Sequence, residues 1–137
     1  MKVLKLWFAN NRIYIKNEKG EELYQSLKFY PRLLMATDDE RADYELGGFG
    51  IYWEKIDEDV SYASFYYEDT KEPAAGLQDA FLSNPELNVS AVARRIGIQQ
   101  SLLSSYIKGT KTPSKERRDL ILNAIHDIGK SLIEVKF

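Results

Sequence analysis

The twenty residues from Val89 to Lys108, VSAVARRIGIQQSLLSSYIK, permit few folds. Val92, Ile96, Ile98, Leu103 and Tyr106 are apolar at intervals that fit two short helices joined by a tight turn. Ala93 falls where the two helices come closest, and a larger side chain there would push them apart. Gly97 stands where the chain must leave the first helix in a left-handed conformation, which glycine adopts cheaply. Leu103 then locks the second helix against the first. A small residue followed by a glycine would mean little by itself. Five apolar positions in register with both of them define a helix pair.

That register is the one in which a helix-turn-helix reads DNA. Gln99–Lys108 is then the recognition helix. Gln100 and Ser101 lie at its exposed N-terminal end, and Ser104 and Ser105 face the same way one turn on. Glutamine pairs bidentately with adenine N6 and N7, and serine reaches several bases. Gln99, Arg94, Arg95, Lys108 and Lys111 are placed to meet phosphates, contacts that position a protein without specifying sequence. The base-reading surface carries Gln and Ser rather than Arg or Lys, which suits modest, dimer-dependent affinity. A bundle of the same register could instead dock a protein.

Along the rest of the chain the signals are shorter. VLKLWF (3–8) and RIYIK (12–16), split by Ala9-Asn10-Asn11, predict a β-hairpin, and Glu22–Ser26 a third strand after the turn at Asn17–Gly20. Pro31 suits the first turn of a helix running to about Thr37, and Thr37–Glu40 is a capping box for another. Asp43–Leu46 and Gly50–Trp53 read as two strands around Gly47-Gly48-Phe49. Glu68–Gly76, polar and proline-bearing, reads as a linker. Leu77–Ser83 is a helix ended by Asn84-Pro85, Asn88 or Ser90 caps the next, and Ser114 caps a long helix reaching about Ile128. On it Leu120, Ile121, Ile125 and Ile128 would cover the back of the motif, Gly129 would end it, and SLIEVKF (131–137) is strand-like.

The fold class is therefore α+β. Residues 1–68 form a small antiparallel-sheet domain for dimerisation or partner binding, 69–76 a linker, and 77–137 an all-α helix-turn-helix domain of four to five helices with a strand-like tail. Charge segregates along the same lines. Residues 1–84 hold 10 Lys and Arg against 16 Asp and Glu, whereas 85–137 hold 9 against 5. A basic module behind an acidic one fits nucleic-acid binding, and chance segregation of surface charge would give the same pattern. No cysteine is present, and the single histidine, His126, suits a surface position better than a ligand's. No cofactor is implied. Lys5, Asn10, Asn11 and Arg12 interrupt the apolar N-terminus, so neither a signal peptide nor a membrane span fits, and a cytoplasmic protein is expected.

Two further groups carry alternatives. Asp57, Glu58 and Asp59 behind Trp53 could serve a divalent metal or acid/base chemistry, or could be a solvated turn accepting backbone N–H bonds before a short helix at Ser61–Tyr67. Tyr62, Phe65, Tyr66 and Tyr67 could stack single-stranded bases, or form core or a dimer surface.

Two resemblances add to this reading. Tyr30-Pro31-Arg32-Leu33-Leu34, Ala36-Thr37, Gly50-Ile51-Tyr52-Trp53-Glu54 and Ile56–Ser61 resemble a small bacterial family of unknown function, family 2442, over roughly residues 3–67. The resemblance implies a strand-rich domain and no catalytic residues. Some members append a helix-turn-helix and some sit beside toxin-like genes, which implies an antitoxin-like role. Residues 77–128, with Gly109 and the loop Lys111-Thr112-Pro113-Ser114, resemble Xre or Cro-like (lambda-repressor-like) domains. Gln99 departs from the Ser or Thr usual at its position, which weakens the cap. Together these point to a bacterial transcriptional regulator, not an enzyme, binding double-stranded DNA as a homodimer. The alternative is an antitoxin-like protein whose first domain grips a toxin-like partner while DNA binding serves autoregulation.

Overall fold

Alternation of branched and aromatic residues builds the first sheet. In the computed structural model, which describes residues 1–137, β1 (Val3–Ala9) and β2 (Arg12–Asn17) pair antiparallel, and β3 (Glu22–Ser26) pairs with β2. Asn10 and Asn11 both have positive φ, 53° and 57°, the two-residue turn whose twist matches its flanking strands. Ile13 and Ile15 of β2 point inward and are fully buried. The opposite face carries a row in direct register, Trp7, Tyr14 and Tyr24. Trp7 and Tyr14 stack with centroids 5.3 Å apart, and Tyr24 lies 5.7 Å from Tyr14. Lys5 sits over Trp7, and Arg12 and Lys71 over Tyr24.

Two short helices follow, α1 (Pro31–Leu34) and α2 (Asp38–Ala42). Pro31 opens α1, but that helix stops three residues short of Thr37. Arg41 explains the stop, since its Nε and Nη2 donate to the carbonyls of Leu33 and Leu34 at 2.9 and 3.0 Å. Thr37 and Glu40 form the expected capping box at the start of α2.

The second sheet has three strands where the sequence pattern predicted two. β4 (Glu45–Leu46), β5 (Gly50–Trp53) and β6 (Glu58–Ser61) form an antiparallel meander. The acidic stretch read as a turn before a helix is in fact β6, with Val60 buried and paired to Ile51. Asp57 makes the reversal with φ of 51°, and only a short 3-10 turn, Ala63–Tyr66, follows the strand. Both sheets share one core, in which Ile13, Ile15, Leu27 and Leu33 meet Ile51, Trp53, Val60, Tyr62 and Phe65. Of the aromatic group, Tyr62 and Phe65 are thus core, while Tyr66 and Tyr67 remain exposed.

The chain divides into two compact units, Met1–Ala74 and Ala75–Phe137. Most of the stretch read as a linker belongs to the first unit. Glu68–Thr70 is a 3-10 turn, Lys71 Nζ donates to the Phe65 carbonyl, and Glu72 pairs with Arg12. The second unit is four helices: α3 (Leu77–Ser83), α4 (Val89–Ile96), α5 (Gln100–Lys108) and α6 (Lys115–Ile133). Their core is Phe81, Val92, Ala93, Leu103 and Ile121. Leu120, expected on the packed face of α6, is exposed. Gly129 does not end that helix, and the tail is not a strand: α6 runs through Gly129 to Ile133. An interior glycine costs about 1 kcal/mol relative to alanine, too little to stop a helix anchored by Ile121, Ala124 and Ile128.

The fully buried Gln25 joins the two sheets. Its Nε2 donates to the Ser64 carbonyl, and its Oε1 accepts from the Tyr30 hydroxyl at 3.2 Å. Gln25→Leu removes both bonds, leaving the Ser64 carbonyl with the Tyr67 N–H at 3.0 Å and the Tyr30 hydroxyl with Ser64 Oγ at 3.5 Å, and is expected to cost the first unit about 1–3 kcal/mol. Both tryptophans, Trp7 and Trp53, lie in that unit, so fluorescence-monitored urea unfolding reads the loss.

Candidate nucleic-acid interface

The helix pair is held at its turn by backbone geometry. Asn88, rather than Ser90, caps α4, its side chain accepting from the Ala91 N–H at 2.9 Å. At the other end Gly97 is left-handed, φ 74°. Its N–H donates to the Arg94 carbonyl, and that of Ile98 to the Ala93 carbonyl at 3.0 Å, the doubly bonded ending that reverses a chain after a helix. Ala93 is buried where the expected close approach requires it. Gly109, φ 81°, ends α5 in the same way. The Ser105 carbonyl there accepts from the N–H groups of Thr110 and Lys111 and from the Thr110 hydroxyl, which folds the following loop back on the helix.

These constraints give α5 two distinct faces. Leu103 is fully buried, and Leu102, Tyr106 and Ile107 are half-buried beside it. Gln100, Ser101 and Lys108 are exposed, and Ser104 and Ser105 are half-buried on the same side. Of the expected core positions, Val92, Ala93 and Leu103 are buried, while Ile96, Ile98 and Tyr106 pack against them from partly exposed positions. Gln99 starts α5 with no side-chain cap. The Ser105 hydroxyl donates to the Ser101 carbonyl at 2.9 Å, so it is engaged within its own helix. Arg94 and Arg95 are both exposed, and Arg94 Nη1 donates to Ser90 Oγ at 2.7 Å. Lys108 and Lys111 are exposed at the C-terminal end of α5 and in the loop after it. Lys115 and Arg118 of the first turn of α6 add exposed cations that the reading from sequence passed over. The signal for them was placement, since cations at a helix N-terminus oppose the helix dipole.

The carboxylates of the first unit do not converge. Strand pairing sends Glu58 and Asp59 to opposite faces of β6, and Asp57 sits at the preceding reversal, where Arg32 donates to its carbonyl at 2.6 Å. No three acidic or histidine groups lie together in a way that could hold a metal ion. Burial raises the Glu58 carboxyl above its usual range, against the N–H of Asp59 and the charge of Arg32, which lower it.

The family model for proteins of unknown function DUF2442 matches residues 3–71. No curated protein matches the chain. A solved structure from Nitrosomonas europaea, named "Putative DNA Binding Protein NE0471", is 15% identical and aligns over 88% of this chain and 84% of its own, with a TM-score of 0.34. A score that low transfers neither fold nor function. No helix is long and apolar enough to cross a membrane.

Two outcomes follow from this geometry. Gly97→Ala forces a side chain into left-handed backbone and is expected to destabilise the helical unit by about 1–2 kcal/mol in far-UV thermal melts. Glu58 binds its proton more tightly folded than unfolded, so its contribution to stability falls as pH rises from the normal glutamate range through the raised folded value. Glu58→Gln is therefore expected to stabilise the first unit at neutral pH, with the gain vanishing in acid, as read by urea titrations across pH.

Proposed function

The chain belongs to the DUF2442 family of proteins of unknown function, and on that premise we propose that it is a transcriptional regulator whose helical unit, outside the matched residues, reads double-stranded DNA. The observation that carries this is the two-sidedness of α5. Its apolar side is sealed into the bundle by Leu103, and its other side offers Gln100 and Ser101 to solvent, with Ser104 half-buried one turn on, from a helix of nine residues. A helix of that kind, following a tight turn, lies in a major groove with its N-terminal side chains against base edges. Gln100 supplies the bidentate contact to adenine, and Ser101 and Ser104 the adaptable ones. Ser105, its hydroxyl proton committed to the Ser101 carbonyl, has only its oxygen lone pairs left to accept from a base.

The phosphate contacts come from around this helix. Lys108, Lys111 and Arg95 are exposed cations, and Lys115 and Arg118 extend the set. The two on α6 sit where the helix dipole disfavours them, a cost that an anionic partner removes. Gln99, with no capping bond, leaves the first turn of α5 open to a phosphate. The uncharged reading surface favours two copies acting together on half-sites about 10 base pairs apart. The role is binding rather than catalysis, and the sheet unit serves a partner or a second copy.

Selection from a random duplex pool with the full chain tests this. A recurrent motif is expected. Gln100→Ala is expected to relax one position at a cost of about 1–3 kcal/mol, and Lys108→Ala to weaken all sites alike while flattening the salt dependence by about one ion. No enrichment even at low salt would overturn the proposal and leave the helical unit as a docking surface for a protein, a toxin-like partner among the candidates.

A further inference from the structure

The outward face of the first sheet sets rings and cations side by side. Trp7, Tyr14 and Tyr24 are cross-strand neighbours on three adjacent strands, each half-buried. The Trp7 and Tyr14 rings are nearly parallel, 7° apart, and the row stops at β1, an edge of the sheet. Beyond Tyr14, what lies over the indole is the Lys5 ammonium, 4.9 Å from its centroid.

Charge is the second observation. Two residues along from the rings, exposed Lys5 stands directly opposite exposed Lys16, a placement in which like charges repel. Glu22 beside Lys16 offsets part of that, while Lys5 has the open edge on its other side. Arg12 and Lys71 lie over Tyr24, with Glu72 on Arg12. The face thus sets four cations against two carboxylates. The nearby turn carboxylates are engaged, Glu18 with the Lys2 N–H and Glu21 with Asn17 and Tyr66. The acidity of the unit lies in residues 38–59, where nine Asp and Glu meet two Arg and Lys, whereas the rest of Met1–Ala74 holds six against eight.

We infer that this face binds single-stranded nucleic acid, with a base stacked on Trp7 and phosphates on Lys5 and Lys16. A base has the flat π surface that prolongs an aromatic row, and by stacking there it turns Lys5 from the indole to the phosphate of the same strand. An acidic peptide would satisfy the lysines and leave the rings unused. A duplex keeps its bases stacked inside and offers this face phosphates alone. This surface is on the unit for which the DNA-reading proposal names only a partner or a second copy, and it does not rest on that proposal.

Titration of the full chain with an oligothymidylate of about 12 nucleotides tests it, read by anisotropy of a labelled oligomer and by tryptophan emission with an unlabelled one. Trp53 is 1% exposed, so quenching reports Trp7. Binding at low salt with quenching is expected. Trp7→Ala is expected to raise the dissociation constant at least about fivefold. Lys5→Gln with Lys16→Gln is expected to flatten the salt dependence by about 0.7 per lysine. Lys108→Ala, in the helical unit, is expected to change neither reading. No binding at low salt, binding without quenching, or binding indifferent to the sheet substitutions overturns the inference. An oligoglutamate peptide or a duplex that competes as well as the oligomer overturns it too, since either shows that charge alone is recognised. If Trp7→Ala loses its far-UV signal, the lysine pair, at exposed sites, decides alone. Failure here with a duplex motif intact removes this surface only, whereas single-strand binding with no duplex motif removes the reading proposed for α5.

Discussion

A single buried amide ties together the first unit. A three-stranded sheet of short strands is marginal alone and needs a covered face. Each of the two sheets here supplies the other's cover, and Gln25 fixes how they meet. With no exposure to solvent it must satisfy both ends of its side chain inside the protein, and it does so on Ser64 and Tyr30. The Ser64 hydroxyl is in turn spent on the Ser61 carbonyl, at the end of β6. Apolar contacts among Ile13, Ile51 and Phe65 would tolerate some sliding. A buried amide with two directional partners would not. Trp53 and Arg41 repeat the logic on the other side, the indole N–H on the Arg41 carbonyl and the Arg41 guanidinium on the end of α1.

The helical unit relies on backbone reversals instead. Its core is small, and no buried polar side chain holds it in register. What orients α5 is the pair of left-handed glycines at its two ends, Gly97 before it and Gly109 after it. Each takes up orphan carbonyls of the preceding helix while turning the chain. The presentation of Gln100 and Ser101 thus depends on where α4 stops and on the burial of Ala93 and Leu103 beneath.

Legibility in the sequence followed the range of the interaction. The hairpin turn at Asn10-Asn11, the capping box at Thr37, the cap at Ser114 and the reversal at Gly97 are local, so their residue types announced them, and Asn88 was one of the two caps offered for α4. α3 appeared with its bounds intact for the same reason. β6 did not, because three consecutive carboxylates look like a solvated loop unless Ile51 is known to lie opposite Val60. The early stop of α1 was hidden because its cause, Arg41, lies on the next helix. The extent of α6 was missed by treating Gly129 as a terminator, although packing upstream outweighs one glycine. At the candidate site, helical periodicity separates exposed Gln100 and Ser101 from buried Leu103, with Ser104 and Ser105 half-buried between. It could not show that Ser105 and Arg94 are already bonded to Ser101 and Ser90, since such bonds depend on side-chain rotamers rather than on spacing.

The arrangement of charge around α5 constrains what this unit can do alone. Its outward face is neutral, Gln100, Ser101 and Ser104, while the cations lie at its C-terminal end, in the next loop and at the start of α6. Hydrogen bonds to bases discriminate, but most of the affinity for DNA comes from phosphates neutralised. On the reading proposed for α5, a face without Arg or Lys borrows its affinity from peripheral cations, which carry no sequence information. Raising affinity by adding more of them would strengthen every site equally and blunt discrimination. A second copy of the same modest face multiplies both quantities together, because each half-site adds its own base contacts along with its phosphates. Under the proposal that α5 reads DNA, its neutral outward face is selective only where a second copy stands beside it.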